Sequence, residues 1–249
     1  MIARGLTVVL VVLVTAVPAG LADEGPPPSL VAACGDFSGV TAQSSWLTTS
    51  DGVRLYTIEA GDGPVAAVLA HQGRSDLCEE LPYAKTLLAA GLRVLAFDFR
   101  GNGHSDNPAR NRLSLGRDLA AAVARARAGG AKHVFLIGAS MGGAAVVQNT
   151  ARLAVDGRIS LSGTRLWAGF GINDAAGVHA LRAPFLYLGS TNDWRAPKSE
   201  ARAILRSVGS RDKRITLYPG GLHGWQLVQS APFAARARAL ILGWIRSRS

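Results

Sequence analysis

The chain has 249 residues, of which 48% are apolar and 18% are charged, and its formal net charge at pH 7 is +10. This balance excludes an intrinsically disordered chain and one embedded wholly in a membrane, and the length suits one α/β domain with a sizeable core. The positive charge does not indicate nucleic-acid binding, because the arginines are spread along the chain and form no basic block interleaved with aromatic residues.

The N-terminus predicts a secretory signal peptide. Arg4 precedes an apolar run from Leu6 to Val17, and small residues stand before an expected cleavage position after Ala22. The run is shorter than the about 20 apolar residues that a membrane-spanning helix needs. We therefore expect residues 1–22 to be removed, residues 23–44 to form an N-terminal arm, and residues 45–249 to form one domain that is secreted without stable membrane insertion.

The chain has two cysteines, Cys34 and Cys78. An even number of cysteines in an exported protein predicts one disulfide, with two free thiols as the alternative. Cys34 also ends a segment, Val31-Ala32-Ala33-Cys34, that resembles a bacterial lipoprotein cleavage box. Such a box should directly follow the apolar run, and here two acidic residues and three prolines intervene. A lipoprotein anchored through Cys34 is therefore the minority alternative to secretion.

Strands and helices are predicted to alternate along the rest of the chain. Apolar runs predict strands at Val53–Ile58, Val65–Ala70, Leu92–Phe97, Val134–Ile137, Thr164–Gly169, Pro184–Leu188 and Arg214–Tyr218. Helical spacing predicts helices at Leu77–Ala90, Leu115–Ala128, Gly142–Ala154, Pro197–Val208 and Ala231–Arg248. This alternation predicts an α/β fold with a mostly parallel sheet of about eight strands covered by helices on both faces. Only about fourteen residues separate Gly169 from Pro184, barely more than one average helix, so no large cap domain is expected.

Ser140 is the candidate nucleophile. It is the serine of a G-x-S-x-G motif, Gly138-Ala139-Ser140-Met141-Gly142, which directly follows a predicted buried strand and directly precedes a predicted helix. The glycines allow a sharp strand-to-helix turn that exposes the serine hydroxyl at the end of the sheet. The motif in this context predicts nucleophilic catalysis.

A serine nucleophile needs a base, and the base needs a group that orients it. Of the five histidines, His223 lies in a glycine-rich loop between the last predicted strand and the last helix. Asp193 follows the strand before it, and its alternative role is to cap the next helix. The order Ser140, Asp193, His223 is the order of nucleophile, acid and base expected for such a fold, which favours a triad. Asp174 is the second candidate for the acid.

Four ordered motifs resemble the α/β-hydrolase family, especially its small, capless esterase-like and lipase-like members. Besides the serine motif and the acid-bearing turn at Gly189–Asp193, His71-Gln72-Gly73 is similar to the family's His-Gly loop, and Asp98–Ser105 is similar to its D-x-R-G-x-G-x-S turn. The resemblance covers residues 45–249, the predicted α/β-hydrolase domain.

The resemblance implies an oxyanion hole made of two backbone N–H groups. One belongs to Met141, and the other belongs to Gln72 or Gly73. Gln72 stands where the family usually has glycine, which leaves the choice between these two donors open. Trp194 and Trp225 flank the proposed acid and base, and they are expected either to line an acyl pocket or to belong to the core.

The sequence therefore predicts a secreted serine hydrolase that cleaves a carboxylic ester through an acyl-enzyme. A serine peptidase or amidase is the alternative within enzymes, and a non-catalytic binding protein on the same fold is the alternative outside them. The expected partner is a small-molecule acyl substrate, with no nucleic acid, no metal and no organic cofactor. The oligomeric state is not predicted.

Overall fold

Eight strands form one sheet in the computed structural model, which describes residues 25–36, 40–108, 114–148, 153–165 and 175–249. The strands are β1 (Gln43–Thr48), β2 (Arg54–Ala60), β3 (Val65–Ala70), β4 (Arg93–Phe97), β5 (His133–Ala139), β6 (Gly157–Leu161), β7 (Phe185–Ser190) and β8 (Lys213–Tyr218). Their order across the sheet is β1-β2-β4-β3-β5-β6-β7-β8. The β1–β2 and β2–β4 pairs are antiparallel, and all later pairs are parallel. The predicted mostly parallel sheet is thus confirmed.

Helices connect the parallel strands, because such strands need a crossover that returns the chain to the same edge of the sheet. The helices are α1 (Leu30–Cys34), α2 (Leu81–Ala89), α3 (Leu115–Ala128), α4 (Met141–Val147), α5 (Ala175–Ala180), α6 (Lys198–Ser207), α7 (Gln226–Gln229) and α8 (Ala234–Arg246), with a 3₁₀ helix at Leu77–Glu80. Within the described segments, none of these helices has both the length and the apolar character of a membrane span. The same segments include no helical cap over the sheet, as predicted.

Apolar side chains cover both faces of the sheet. In β3, Ala67 and Leu69 belong to the core cluster that contains α2 and α8, whereas Ala66 and Val68 belong to the cluster that contains α3 and α4. Neighbouring residues of a strand point to opposite faces, so a strand with helices on both sides is a continuous apolar run. A smaller cluster packs α6 on β7.

Three predicted elements need correction. The helix predicted at Leu77–Ala90 is a 3₁₀ turn followed by α2, which starts at Leu81 with Pro82 in its first turn. Proline has no backbone N–H to donate, so it suits the first turn of a helix and not its interior. The helix predicted at Gly142–Ala154 ends at Val147, because Gln148 is extended.

The third correction concerns the strand predicted at Thr164–Gly169. The strand is β6 at Gly157–Leu161, and Thr164 lies outside any strand. Residues 166–169 of the predicted strand lie outside the described residues. The sequence of β6 contains Arg158 and Ser160, both buried, and these polar residues interrupt the apolar run that marks the other buried strands.

A disulfide joins Cys34 to Cys78, with 5.4 Å between the Cα atoms. It ties α1 to the 3₁₀ helix that precedes α2. The pairing agrees with the prediction made from the even number of cysteines.

Candidate active site

Ser140 lies on a sharp turn between β5 and α4. Its backbone has φ 51° and ψ −109°, a left-handed region that residues with a side chain rarely occupy. The turn is held from the neighbouring strand, because the N–H of Ser140 donates to the carbonyl oxygen of Leu161 at 2.9 Å. Strained backbone of this kind persists where the surrounding structure fixes it, and it is often found at active sites.

The two glycines of the serine motif are required by close backbone contacts. A Cβ atom on Gly138 would lie 2.3 Å from the carbonyl oxygen of Gly142, and a Cβ atom on Gly142 would lie 2.1 Å from the carbonyl oxygen of Ala70. The second contact brings α4 against the end of β3. The loop that follows β3 therefore lies beside Ser140.

Asp193 and His223 come together at the same end of the sheet. Asp193 follows β7, His223 follows β8, and the Nδ1 atom of His223 is 2.6 Å from Oδ2 of Asp193. Burial raises the pKa of Asp193, but the hydrogen bond and charge of His223, together with further hydrogen bonds such as that from the N–H of Ala196, bring it below its ordinary value. The carboxylate stays ionised and accepts a hydrogen bond from the Nδ1–H group of His223. This bond fixes the tautomer of the ring in which Nε2 carries no proton and can act as an acceptor.

The other oxygen of Asp193 organises its own turn. Oδ1 accepts the backbone N–H groups of Arg195 at 3.0 Å and Ala196 at 3.2 Å. The helix-cap role considered for Asp193 is wrong, because the N-cap of α6 is Pro197 and Asp193 holds the turn that precedes it. This turn and the contact with His223 use different oxygens of the carboxylate. Asp174, the second candidate for the acid, lies outside the described residues.

Ser140 and His223 both line a cavity of about 700 Å³. Among the described residues, the others that line it are Gln72, Gly73, Arg74, Arg195 and Gln226. The Nε2 atom of His223 is buried and has no hydrogen-bond partner among the described residues. It is thus free to accept a proton from a group in the cavity, and catalytic hydrogen bonds often close only when substrate binds.

The loop after β3 supplies the candidate oxyanion donors opposite Met141, the first residue of α4. The N–H of Gln72 donates to Oε1 of Glu79 at 2.6 Å, and its side-chain amide donates to Oε2 of the same residue at 2.9 Å. The N–H of Gly73 has no acceptor within the described part of the chain. The hydrogen bonds therefore favour Gly73 over Gln72 as the group available to a substrate oxygen.

His71 holds this loop against the loop that follows β4. It is fully buried, and burial lowers its pKa to about 4. Its Nε2 atom accepts the N–H of Phe99 at 2.9 Å, and its Nδ1 atom lies 2.6 Å from the carbonyl oxygen of Gln72. A neutral ring that donates from Nδ1 and accepts at Nε2 satisfies both contacts. His71 is therefore a structural link between the two loops.

The Asp98–Ser105 turn is also structural. Asp98 accepts the N–H groups of Leu77 and His104, each at 2.8 Å, and burial raises its pKa to about 6. A Cβ atom on Gly103 would lie 2.0 Å from Oδ2 of Asp98, so glycine is required there. The turn fixes the start of the 3₁₀ helix that carries Glu79.

The two tryptophans occupy different environments. Trp225 is buried and packs against Tyr83 with 5.8 Å between ring centroids, so it belongs to the core. Trp194 is 76% exposed. Neither is among the residues that line the cavity at Ser140, which corrects the expectation of an acyl pocket built from them.

Sequence reasoning missed four residues at this site: Glu79, Arg74, Arg195 and Gln226. Gln226 accepts the N–H of His223 through Oε1 at 3.1 Å and so fixes the histidine loop. Within the described segments, no cluster of three or more His, Cys, Asp or Glu residues could hold a metal ion. Glu79 and Arg74 follow the His-Gly motif closely in the sequence, and Arg195 follows Asp193 by two positions, so proximity to the motifs is the signal that could have found them.

Comparison with known proteins agrees with this geometry. The model of the α/β-hydrolase family matches residues 67–248, which contain every residue of the site described above. The chain belongs to the α/β-hydrolase family. The resemblance predicted from the sequence is thus confirmed, and family membership supports a hydrolase function. Among curated proteins, none is significantly similar to the sequence.

Solved α/β-hydrolase structures share the fold at low sequence identity. An esterase from Pyrococcus furiosus is 17% identical, with a TM-score of 0.74 over 90% of this chain and 97% of the esterase. A malate-bound esterase from Thermogutta terrifontis is 18% identical, with a TM-score of 0.67 over 84% of this chain and 100% of the other. A monoacylglycerol lipase from Paleococcus ferrophilus is 16% identical, with a TM-score of 0.65 over 78% of this chain and 99% of the lipase.

Proposed function

We propose that the protein is a secreted serine hydrolase that cleaves carboxylic esters through a Ser140–His223–Asp193 triad and an acyl-enzyme. The observation that carries the proposal is the 2.6 Å contact between His223 and Asp193 at a cavity that Ser140 also lines. The left-handed backbone of Ser140 adds to it, because a strained turn that presents a serine to a cavity has no evident structural purpose.

In this mechanism, Nε2 of His223 takes the hydroxyl proton of Ser140 as the serine oxygen attacks the ester carbonyl. Asp193 holds the imidazole through Nδ1 and stabilises its positive charge. The N–H groups of Met141 and Gly73 stabilise the oxyanion, and the loss of one such donor typically costs about 10²–10³ in rate. His223 returns the proton to the leaving alcohol. Water then releases the acyl group by the same route.

A fluorophosphonate probe tests the nucleophile. The wild-type protein is expected to be labelled, and Ser140→Ala is expected to lose the label. Ser199→Ala, which removes an exposed serine of α6, serves as the matched control and should be labelled like the wild type. A folded wild type that takes no label would refute the proposal and favour a binding protein on the same fold.

The ester specificity needs a separate test, because peptidases and amidases share the triad chemistry. Matched p-nitrophenyl esters and p-nitroanilides with the same acyl group separate the two activities. Because p-nitrophenyl esters are intrinsically more reactive than anilides, the anilide decides the test. The esters should be cleaved and the anilides should not be cleaved above the uncatalysed rate. Enzymatic cleavage of an anilide that Ser140→Ala abolishes would make the protein an amidase or peptidase.

We also propose that the protein is exported and that residues 1–22 are removed as a signal peptide. Disulfides persist in oxidising compartments, so the Cys34–Cys78 bond supports export. The same bond uses the sulfur of Cys34, which a lipoprotein would need for its lipid thioether. N-terminal sequencing of the exported protein should begin at Asp23, and a blocked N-terminus at Cys34 would support the lipoprotein alternative instead.

A further inference from the structure

We propose that the cavity at Ser140 selects esters that carry an anionic oxygen group, a carboxylate or a phosphate, through Arg74 and Arg195. This inference rests on the proposed ester hydrolysis and adds a substrate class to it. Both arginines line the cavity together with Ser140 and His223.

Among the described residues, the charged side chains that line the cavity are all of one sign. Besides the arginines, these lining residues are Ser140, His223, Gly73 and the two neutral amides Gln72 and Gln226. No described carboxylate lines the cavity, and Asp193 is buried behind His223. A substrate anion would therefore meet two positive charges and no negative charge from the described lining residues.

Neither guanidinium is neutralised within the described part of the chain. Elsewhere in the fold, Arg125 binds Glu59 at 2.7 Å and Arg248 binds Asp212 at 2.8 Å. No described carboxylate forms an ion pair with Arg74 or Arg195. Two like charges that line one cavity repel each other, and an anion bound in that cavity would be attracted to both.

The backbone fixes both arginines at the cavity. Arg74 has φ 62°, a left-handed conformation that costs an arginine about 1 kcal/mol or more and that glycine would adopt freely. The N–H of Arg195 donates to Asp193, so its backbone is held by the same carboxylate that orients His223. The backbone positions of these two residues are therefore set by the loops that carry the candidate oxyanion donors and Asp193.

The exposed Trp194 holds the side chain of Arg195. The guanidinium carbon of Arg195 lies 4.3 Å from the centre of the Trp194 ring, a cation–π contact. The contact restricts the side chain of Arg195, and guanidinium N–H groups that do not face the ring can still donate to carboxylate or phosphate oxygens. A guanidinium that lines the cavity and has no ion-pair partner among the described residues is suited to bind an anionic substrate.

Three pairs of esters test the proposal. Glutaric acid mono-p-nitrophenyl ester carries a carboxylate on the acyl side, 4-acetoxybenzoate carries one on the alcohol side, and 4-acetoxyphenyl phosphate carries a phosphate there. The two carboxylates are compared with their neutral methyl esters, and the phosphate is compared with its neutral dimethyl ester. At least one anionic member should have a kcat/KM about 5-fold or more above its neutral partner, mainly through a lower KM, as two exposed ion pairs would give. The pair with the largest ratio identifies the oxyanion and its side.

The preference should depend on the two arginines. Arg74→Asn with Arg195→Gln removes both charges, and asparagine tolerates left-handed backbone better than most residues. In this variant, the ratio of kcat/KM for the anionic ester to kcat/KM for its neutral partner should be close to one. Arg202→Gln with Arg206→Gln removes the same charge from exposed positions of α6 and should keep the wild-type ratio. Because salt screens exposed charges, the wild-type ratio should also fall between about 20 mM and 500 mM NaCl.

The outcomes separate this inference from the proposed function. Hydrolysis of the neutral esters without any preference for an anionic partner would overturn the inference and leave the proposed function in place. A preference that survives in the double variant would also overturn it. Failure to hydrolyse any of the esters would refute ester hydrolysis itself.

Discussion

The Cys34–Cys78 disulfide should stabilise the protein by an amount that follows from the length of chain it encloses. The two cysteines are 44 positions apart. In the chain-entropy description, a cross-link that closes a loop of this length removes about 13 cal/mol/K from the unfolded ensemble, which corresponds to about 4 kcal/mol at 25 °C. We therefore expect Cys34→Ala with Cys78→Ala to lower the free energy of unfolding by about 2–4 kcal/mol.

The contacts of the N-terminal arm are few, which makes the disulfide important for its docking. Leu30 is buried in the core, and the hydroxyl of Tyr56 donates to the carbonyl oxygen of Pro28 at 2.9 Å. Burial of one leucine contributes about 2 kcal/mol and one hydrogen bond about 1 kcal/mol, and together they fall well short of the about 1–2 kcal/mol per residue that ordering the arm costs. Without the disulfide, the arm should also be cleaved faster by proteases.

Urea denaturation of the wild type and of the double variant measures the change. The variant should unfold with a larger m-value as well, because its unfolded chain is less compact. The wild type treated with a thiol reductant should match the variant, and the reductant should leave the variant unchanged. A loss below about 1 kcal/mol, with the wild-type disulfide verified by mass spectrometry, would refute the reasoning from loop length.

Two further predictions concern carboxylates near the loop after β3. Glu80 is fully buried with neither oxygen paired among the described residues, and burial raises its pKa well above the ordinary value of 4.5. The folded protein thus binds the carboxyl proton of Glu80 more tightly than the unfolded chain does. As the pH rises above 4.5, the free energy of unfolding therefore falls by up to about 1.4 kcal/mol per pH unit. Glu80→Gln should therefore melt at a higher temperature than the wild type at pH 8 and at the same temperature near pH 4, and equal melting at pH 8 would contradict this. Glu79→Gln weakens the two contacts that hold Gln72. We expect kcat to fall about 10-fold with KM nearly unchanged, which is less than the about 10²–10³ that complete loss of an oxyanion donor costs, because the donor would be displaced and not removed. An unchanged kcat in ester assays would mean that Glu79 does not position the loop. The control is Glu59→Gln, which makes the same change to a carboxylate of β2.

The helices and strands whose apolar residues repeat at a regular spacing were predictable from the sequence. Those whose buried residues are polar were not. The helix at Leu115–Ala128 has the predicted bounds, because its apolar face repeats and two glycines follow it. Strand β6 was misplaced because its buried Arg158 and Ser160 resemble a surface segment. A polar residue can be buried in a strand when its hydrogen bonds are satisfied, as the hydroxyl of Ser160 is by the carbonyl oxygen of Gly143. Such partners are distant in the sequence and can be identified only once the fold is known.

The candidate triad was predictable because its signals are local or ordered along the chain. The glycines around Ser140 satisfy backbone contacts within one turn, and Asp193 and His223 each follow a strand. The arginines at the cavity carried no such signal. Each is one of many arginines in the sequence, and only the fold brings Arg74 and Arg195 to the same cavity.

Gln72 shows how a departure from a family pattern can be matched elsewhere in a chain. Its side chain adds a second hydrogen bond to Glu79, and its Oε1 atom packs against Gly224, where a Cβ atom would lie only 1.8 Å away. A side chain at residue 224, next to His223, would therefore require Gln72 to move. The amide of Gln72 thus lies between Glu79 and the histidine loop, a position that a glycine at position 72 would leave empty. The sequence shows these residues separately, whereas the fold shows that the N–H of Gln72 is used by Glu79 and that Gly73 is the loop residue whose N–H remains available at the cavity.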